Sequence, residues 1–230
     1  CTPVELAQIG QYAENVFFGK PCGLMDQTAS SVGGVVAIDF ADIAHPVVER
    51  LDVDLHTCGY ALCILDSGAG HEDLTGEYSA ITEELRAVCR VFGKEVLWEV
   101  PEEAFLAELP HVRKAAGDRA VNRAFHVYGE NRRVREEVQA LRSGDFQRFL
   151  ALVRESGRSS AMYLQNIALC ERMLEGRGAV RVHGGGFGGT AQAFVPLDML
   201  DGFRDRVEVS LGRGCCHVVR IRPAGGIRLG

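Results

Sequence analysis

Several patterns that would fix a function class at once are missing from this sequence. Its eight cysteines form no Cys-x-x-Cys pair, and histidine and cysteine never cluster at the spacing of metal ligands, so we expect no zinc site. No apolar run approaches the roughly 20 residues of a membrane-spanning helix. Cysteines at this density are typical of small buried residues in a reducing compartment rather than of a disulfide scaffold. We therefore expect a cytoplasmic protein.

An excess of positive charge is missing as well. The 230 residues include 25 Lys and Arg against 31 Asp and Glu, which gives a net charge of −6, whereas a nucleic-acid-binding domain normally carries a basic stripe. The densest group of arginines, within residues 132–135, lies among Glu130, Glu136 and Glu137, and we expect it to form a solvated helix face. The sequence thus predicts no nucleic-acid partner and, without a spanning segment, no membrane partner.

The first residues have the pattern of a helix N-terminus. Thr2 can cap the helix, Pro3 suits its first position, and Glu5 completes a capping box. We expect the helix to run to about Phe18, because Gly19 is a typical helix end. One face of this helix carries four apolar residues: Leu6, Ile9, Ala13 and Val16.

Residues 21–27, with the sequence PCGLMDQ, form the most informative segment. Pro21 and Gly23 set the backbone on an unusual course, and Asp26 follows in the first turn of a helix predicted over residues 25–32. Backbone N–H groups at a helix N-terminus favour a negative charge there. From the spacing alone, Asp26 is either a carboxylate that stays ionised and faces a ligand or an ordinary helix-start acid.

Local apolar patterns predict strands towards both ends of the chain and helices between them. The further helices are expected over residues 74–92, 118–142, 146–154, 159–174 and 197–206. The strands are expected over residues 35–40, 60–65, 179–182, 191–195 and 217–222. The first strand is nearly continuous in apolar residues and should be interior. Because the helices concentrate in the middle of the chain, we predict an α+β fold with an antiparallel sheet.

The second conspicuous segment is HGGGFGGT, residues 183–190, which follows one predicted strand and precedes another. It formally contains G-x-G-x-x-G, but a dinucleotide-binding loop needs a helix after it, and a Walker A loop needs a lysine after its glycines. Both assignments are therefore rejected. Two possibilities stay open on these residues: backbone amides that form an anion-binding nest, or a tight turn with close backbone packing.

Taken together, the two segments are similar to parts of a known kinase family. Residues 19–27 (GKPCGLMDQ), followed about 160 residues later by the glycine loop, resemble the galactokinases of the GHMP small-molecule kinase superfamily. Further matches occur in family order: Tyr78 within GEY, ENRRV at residues 130–134, and LRSGDF at residues 141–146. The resemblance covers nearly the whole chain.

The resemblance implies a division into two parts. Residues 1–56 would be a remnant of the S5-like N-terminal domain that carries the Asp26 loop. Residues 57–230 would be the C-terminal domain, a ferredoxin-like α/β sandwich with an antiparallel sheet, which carries the glycine loop 184–189. The family also has a sugar-gripping strand and loop and a nucleotide-phosphate loop, which this sequence lacks, so we expect the fragment to be inactive alone. We also expect the remnant to self-associate, because an exposed apolar strand edge invites pairing.

The resemblance also implies a reaction. A galactokinase uses ATP with Mg²⁺ to phosphorylate galactose at its anomeric hydroxyl, which gives galactose 1-phosphate and begins galactose metabolism. Asp26 would be the base or the anion that orients the hydroxyl, while the Gly23 amide and the Tyr78 hydroxyl would hold sugar oxygens. The sequence identifies no metal ligand. The glycines that would border the phosphate-transfer site are Gly184, Gly185, Gly186, Gly188 and Gly189.

Local departures from the family pattern leave the sugar open. Gly157 stands where the family often has His, His183 where it often has Thr, and Gly70 where a basic residue is common. A relative that phosphorylates N-acetylgalactosamine or a uronic acid therefore stays an alternative. A non-catalytic, sugar-sensing module of the galactokinase type is another.

Overall fold

The computed structural model describes residues 1–19, 22–66, 75–160, 165–184 and 189–227, with the side chains of residues 75–78 and 165–166 excepted. The helices are α1 (Pro3–Tyr12), α2 (Met25–Val32), α3 (Thr75–Val91), α4 (Glu102–Ala107), α5 (Leu109–Ala116), α6 (Asp118–Arg142), α7 (Phe146–Ser159), α8 (Gln165–Met173) and α9 (Leu200–Leu211). The strands are β1 (Val35–Asp39), β2 (Val47–Leu51), β3 (Tyr60–Asp66), β4 (Ala179–Val182), β5 (Thr190–Pro196) and β6 (Cys216–Val219). Within these ranges, none of the helices combines the length and apolarity needed to cross a bilayer.

An antiparallel sheet with the strand order β4–β5–β3–β6 forms the centre of the larger part of the chain. Strand β3 lies beside β5 along its whole length, from the pair Tyr60–Pro196 to the pair Asp66–Thr190. Buried side chains on one face of the sheet pack against α8 and α9, and those on the other face pack against α7. The predicted α+β fold with an antiparallel sheet is confirmed.

The middle helices have a hydrophobic core of their own. Its buried side chains come mainly from α3, α4, α5 and α6 and include Val88, Phe105, Val112, Val121 and Tyr128. The Tyr128 hydroxyl donates a hydrogen bond of 2.9 Å to the Val100 carbonyl, so this buried polar group is satisfied. The core holds α6 in place, and α6 in turn packs against α7 at the side of the sheet.

Helix α1 begins as predicted and ends earlier. The Glu5 N–H donates to Thr2 Oγ1 at 3.2 Å, and the Thr2 N–H donates to Glu5 Oε2 at 2.7 Å, which completes the capping box. A π-helical turn over Ala13–Phe17 follows α1 in place of its predicted last turns. The apolar face of this stretch is largely exposed, since Leu6, Ile9 and Val16 are 46%, 59% and 56% exposed. The small residues Ala7 and Gly10 instead face α2 at close range.

Strand β1 pairs antiparallel with β2, from the pair Val35–Leu51 to the pair Asp39–Val47. The prediction of an interior strand was wrong, because every residue of β1 keeps some exposure and, in the described part of the chain, β2 is its one strand neighbour. Strand β2 itself was missed, because Glu49 and Arg50 interrupt its apolar pattern.

Several other helices and strands begin or end at residues that differ from the predicted ones. Helix α7 continues to Ser159, and a short 3₁₀ turn over Leu197–Met199 precedes α9, which continues to Leu211. Strand β6 ends at Val219, after which the chain leaves the sheet. These shifts affect ends of elements, which local patterns define least well.

Residues 222–226, here called the C-terminal strap, return from β6 to the end of α2. The Gly34 N–H donates to the Arg222 carbonyl at 2.8 Å, and the Gly226 N–H donates to the Ser31 carbonyl at 2.9 Å. The two backbones approach so closely that a Cβ on Gly225 would overlap the Ser31 carbonyl. Glycine is therefore required at position 225, and the strap fastens α2 to the sheet.

We expect the substitution Gly225→Ala to lower the free energy of unfolding by about 1–3 kcal/mol, because the new methyl group has to displace backbone atoms of Ser31 and Val32. Gly226→Ala is the matched control, since its Cβ would meet the movable end of the Leu6 side chain at 2.9 Å. Urea unfolding compares the two. Equal losses in both variants, or none in Gly225→Ala, would contradict the role of the strap.

Candidate functional site

Asp26 lies in the first turn of α2, as the sequence predicts. The Thr28 hydroxyl donates to the Leu24 carbonyl at 2.7 Å within this turn, and both residues are buried. The Asp26 side chain is exposed and, among the described residues, forms no hydrogen bond or ion pair. The N-terminal N–H groups of α2 favour its negative charge. Asp26 is therefore an available carboxylate on a firmly seated helix end.

An open depression of about 450 Å³ lies between α1 and α2 beside Asp26. Its lining includes a second carboxylate, Glu14 of the turn after α1, together with Gln27, Ser30 and Ser31 of α2. The sequence did not single out Glu14, because nothing in its local spacing shows that it lies across from α2. Two carboxylates thus border one depression, and an experiment has to distinguish them.

The loop before α2 is held by side-chain amides. The Cys22 N–H donates to Asn15 Oδ1 at 2.7 Å, and the Cys22 carbonyl accepts from Gln11 Nε2 at 3.2 Å. Gly23 follows and is exposed, and no atom of the described residues lies within 4 Å of the position that a Cβ would take. Among those residues, packing therefore does not require glycine at this position.

The glycine loop joins neighbouring antiparallel strands, β4 and β5, and a strand follows it as expected. The His183 N–H donates to the Thr190 carbonyl at 2.9 Å, which continues the ladder by one residue. Gly184 and Gly189 have φ angles of +61° and +68°, a region that favours glycine. The other glycines predicted to border a phosphate site lie outside the described residues: Gly185, Gly186 and Gly188.

The predicted site residues belong to separate elements. The backbone of Tyr78 lies in α3, and its side chain is outside the described part of the structure. No hydrogen bond or ion pair joins the described residues of the Asp26 loop to Gly184 or Gly189. The structure thus places Gly23 and Asp26 together, and it places Gly184 and Gly189 together at the end of the β4–β5 pair.

A polar cluster behind β4 was missed by the sequence analysis. Arg133 Nε donates to Glu130 Oε1 at 2.7 Å, and the buried Ser156 hydroxyl donates to Glu130 Oε2 at 2.7 Å. On the same side, His126 Nδ1 lies 2.9 Å from Ser159 Oγ. The prediction of a solvated face for this stretch was wrong at Glu130 and Arg133, whose side chains are 23% and 16% exposed.

Gly157, a departure from the family pattern, lies where α7 meets β4. A Cβ there would be 2.9 Å from the Val180 carbonyl and 3.3 Å from Arg181 Cβ. A larger side chain at position 157 would push the helix off the strand that leads into the glycine loop. The glycine is therefore explained by close packing in this chain.

Two groups of the cluster have shifted pKa values. Burial raises the pKa of Glu137 to about 7; Glu130 reinforces this increase, and Arg181 and Arg133 oppose it. Burial lowers the pKa of His126, and the nearby Glu130 opposes that shift. Arg181 supplies positive charge from β4, and its Nε is buried without a partner among the described residues. The cluster is thus a buried arrangement of charges on the side of β4.

We expect Glu137→Gln to change how stability depends on pH. Between the ordinary pKa of Glu137, 4.5, and its folded-state value of about 7, the folded wild-type protein binds more protons than the unfolded chain. Wild-type stability from this group therefore falls as the pH rises through that window. The stability of the variant relative to the wild type should rise between pH 5 and pH 8, by on the order of 2 kcal/mol. Urea unfolding at both pH values measures this difference, and an unchanged difference would contradict the assignment.

The sequence of the chain is similar to those of known galactokinases. No protein-family profile matches the chain. It is 34% identical over 215 residues to a galactokinase of Glaesserella parasuis, covering 87% of this chain and 53% of that protein. It is 34% identical over 225 residues to a galactokinase of Thermotoga neapolitana, covering 90% of this chain and 61% of that protein. It is 35% identical over 193 residues to human galactokinase, covering 80% of this chain and 47% of that protein. The chain spans about half of the length of the relatives it matches.

Solved structures agree with the sequence relationship. Lactococcus lactis galactokinase complexed with galactose matches with a TM-score of 0.77 and 27% identity, over 100% of this chain and 62% of that one. L. major mevalonate kinase in complex with R-mevalonate matches with a TM-score of 0.57 and 14% identity, over 98% of this chain and 60% of that one. At this identity, the match bears on the fold alone. The fold is that of the GHMP small-molecule kinases. Within that superfamily, the resemblance to the galactokinases is confirmed for this part of the protein.

Proposed function

We propose that the protein is a galactokinase, which transfers the γ-phosphoryl group of ATP to the anomeric hydroxyl of galactose and forms galactose 1-phosphate. The observation that carries the proposal is the match over the whole chain to a galactokinase complexed with galactose, supported by 31–35% identity to galactokinases of several organisms. Mevalonate kinase shares the fold at 14% identity, so the fold alone would leave the substrate open.

The chain would divide between the two domains of such a kinase. Residues 1–56 contain α1, α2, β1 and β2 and would belong to the N-terminal domain, while residues 57–230 contain the β4–β5–β3–β6 sheet and would be the C-terminal domain. The C-terminal strap would then be a direct fastening between the two domains. Asp26 would lie on the N-terminal side of the site and the glycine loop on the C-terminal side.

Phosphoryl transfer depends mainly on positioning and on neutralising charge. Asp26 would accept the proton of the anomeric hydroxyl or orient that hydroxyl, and a positioned base typically contributes 10²–10⁴-fold to the rate. The amide of Gly23 and the hydroxyl of Tyr78 would hold sugar oxygens. Backbone amides of the glycine loop would border the phosphates, which suits the left-handed backbone at its two described glycines.

ATP would supply the phosphoryl group, and Mg²⁺ would neutralise charge on its phosphates. The described residues contain no group of three or more side chains that could hold a metal ion. Mg²⁺ in kinases is commonly held by substrate phosphates, water and one or two carboxylates.

The substitution Asp26→Asn in the protein at its full encoded length should lower kcat for galactose at least 100-fold, because the amide can no longer take the proton. Glu14→Gln is the matched control, since Glu14 is the other carboxylate that borders the same depression. A coupled assay of ADP release with galactose and ATP measures both. Wild-type turnover in Asp26→Asn, or a large loss in Glu14→Gln with none in Asp26→Asn, would contradict the assignment.

Self-association is a second part of the proposal for the 230-residue chain. An apolar patch on the first helix and the turn after it consists of Ile9, Tyr12, Val16, Phe17 and Phe18, each at least 56% exposed. Such a surface is unusual for a soluble monomer and typically marks an interaction site. We propose that a second copy of the chain covers it.

Phe17→Ser should shift the chain towards the monomer, because the Phe17 ring is 78% exposed and its loss removes contact area without opening the core. Val209→Ser is the control, since Val209 on α9 is 87% exposed and lies outside the patch. Light scattering at micromolar concentration gives the masses. A monomeric wild type, or equal effects of the two substitutions, would contradict self-association through this patch.

A further inference from the structure

A π-helical turn extends α1 towards the loop that precedes α2. The turn covers Ala13–Phe17 and is closed by the bond from the Phe18 N–H to the Ala13 carbonyl, 3.3 Å. Turns of this kind are rare and frequently occur at functional sites. Here the turn carries Asn15, which lies four residues after Gln11, so the two side chains lie on neighbouring positions of one helical face.

Three amide side chains converge on Cys22. Asn15 accepts from the Cys22 N–H at 2.7 Å through Oδ1, and its Nδ2 lies 3.4 Å from the Cys22 carbonyl. Gln11 Nε2 donates to the same carbonyl at 3.2 Å. From α2, Gln27 Nε2 lies 3.3 Å from Cys22 Sγ. Both main-chain polar groups of Cys22 are therefore bound by side chains of the helix α1 region.

The position of the Cys22 carbonyl decides where the next amide points. A trans peptide is planar, and its N–H points opposite to its C=O. Since the Cys22 carbonyl faces Gln11 and Asn15, the Gly23 N–H faces away from them. Gly23 is exposed, and its N–H forms no hydrogen bond within the described part of the chain. The amide is thus presented outward, on the loop that leads into Asp26.

We propose that Asn15, assisted by Gln11, is a positioning residue that fixes the Cys22–Gly23 peptide so that the Gly23 N–H can donate to an oxygen of the sugar. The identity of the ligand rests on the proposed function, whereas the orientation of the peptide does not. Asn15 is exposed, so its bonds contribute little to global stability. Its effect should appear in ligand binding.

Asn15→Ala tests the proposal in the protein at its full encoded length. The loss of the bonds from Asn15 to both polar groups of Cys22 should raise KM for galactose about tenfold, because Gln11 alone then holds this peptide. KM for ATP should stay at the wild-type value, and kcat should change less than KM. Asn15→Asp should recover most of the affinity, because its Oδ1 still accepts from the Cys22 N–H. Gln8→Ala is the matched control, because Gln8 Nε2 on the same helix donates to a different loop, at the Ala44 carbonyl, 2.9 Å.

Hydrogen exchange of the Cys22 amide gives a readout that does not depend on galactose, because this N–H donates to Asn15 Oδ1. Its exchange should be faster in Asn15→Ala than in wild type and in Gln8→Ala. Unchanged exchange at the Cys22 amide, an unchanged KM for galactose, or an equal rise of KM in Gln8→Ala would overturn the positioning role. A wild-type protein that fails to phosphorylate galactose would refute the proposed function, and the exchange measurement would then decide on the positioning role alone.

Discussion

The approach of the C-terminal strap to the end of α2 is the constraint on which the rest of the arrangement depends. Gly225 lies so close to the Ser31 carbonyl that no side chain fits, and the hydrogen bonds at Gly34 and Gly226 flank this contact. The helix that carries Asp26 is thereby joined to the strand at the edge of the sheet. Without this contact, α2 would be held by α1 and β1, which are themselves only partly buried.

The two ends of α2 are controlled in different ways. Its C-terminal end is fixed by backbone contact with the strap, while the loop before its N-terminal end is fixed by the side-chain amides around Cys22. Backbone contact gives a stiff support, and the amide bonds set the direction of one peptide. Together they leave an exposed amide at Gly23 and an exposed carboxylate at Asp26 on one short segment. This is a suitable surface for a small polar ligand.

The glycine loop is held in place by different contacts. Its strand β4 lies against α7, where Gly157 permits close contact with the Val180 carbonyl. Behind it, the pair Glu130–Arg133 and the buried Ser156 bind α6 to α7. Such a partly buried ion pair is weak evidence for added stability, because the cost of desolvating its charges offsets much of their attraction. The cluster therefore contacts the support of the glycine loop, because α7 packs against β4, the strand that leads into this loop.

Much of the local structure could be predicted from the sequence, because its signals are local. The capping box at Thr2, the bounds of α2 and the strand that follows the glycine loop came out as expected. What could not be predicted depends on distant residues. Nothing near Gly225 indicates that it meets Ser31, and nothing near Glu130 indicates that Ser156 covers it. Strand β2 was missed for the same reason, since its pairing with β1 outweighs its weak apolar pattern.

In the proposed kinase, the Gly23 amide, oriented by the helix before it and followed by Asp26, faces the sugar. Nuclear magnetic resonance can test this by titrating [¹⁵N]glycine-labelled protein, at its full encoded length, with galactose. The Gly23 signal is assigned by its loss in Gly23→Ala, and it should shift and saturate together with sugar binding. A Gly23 signal that stays unmoved while galactose saturates the protein would contradict it.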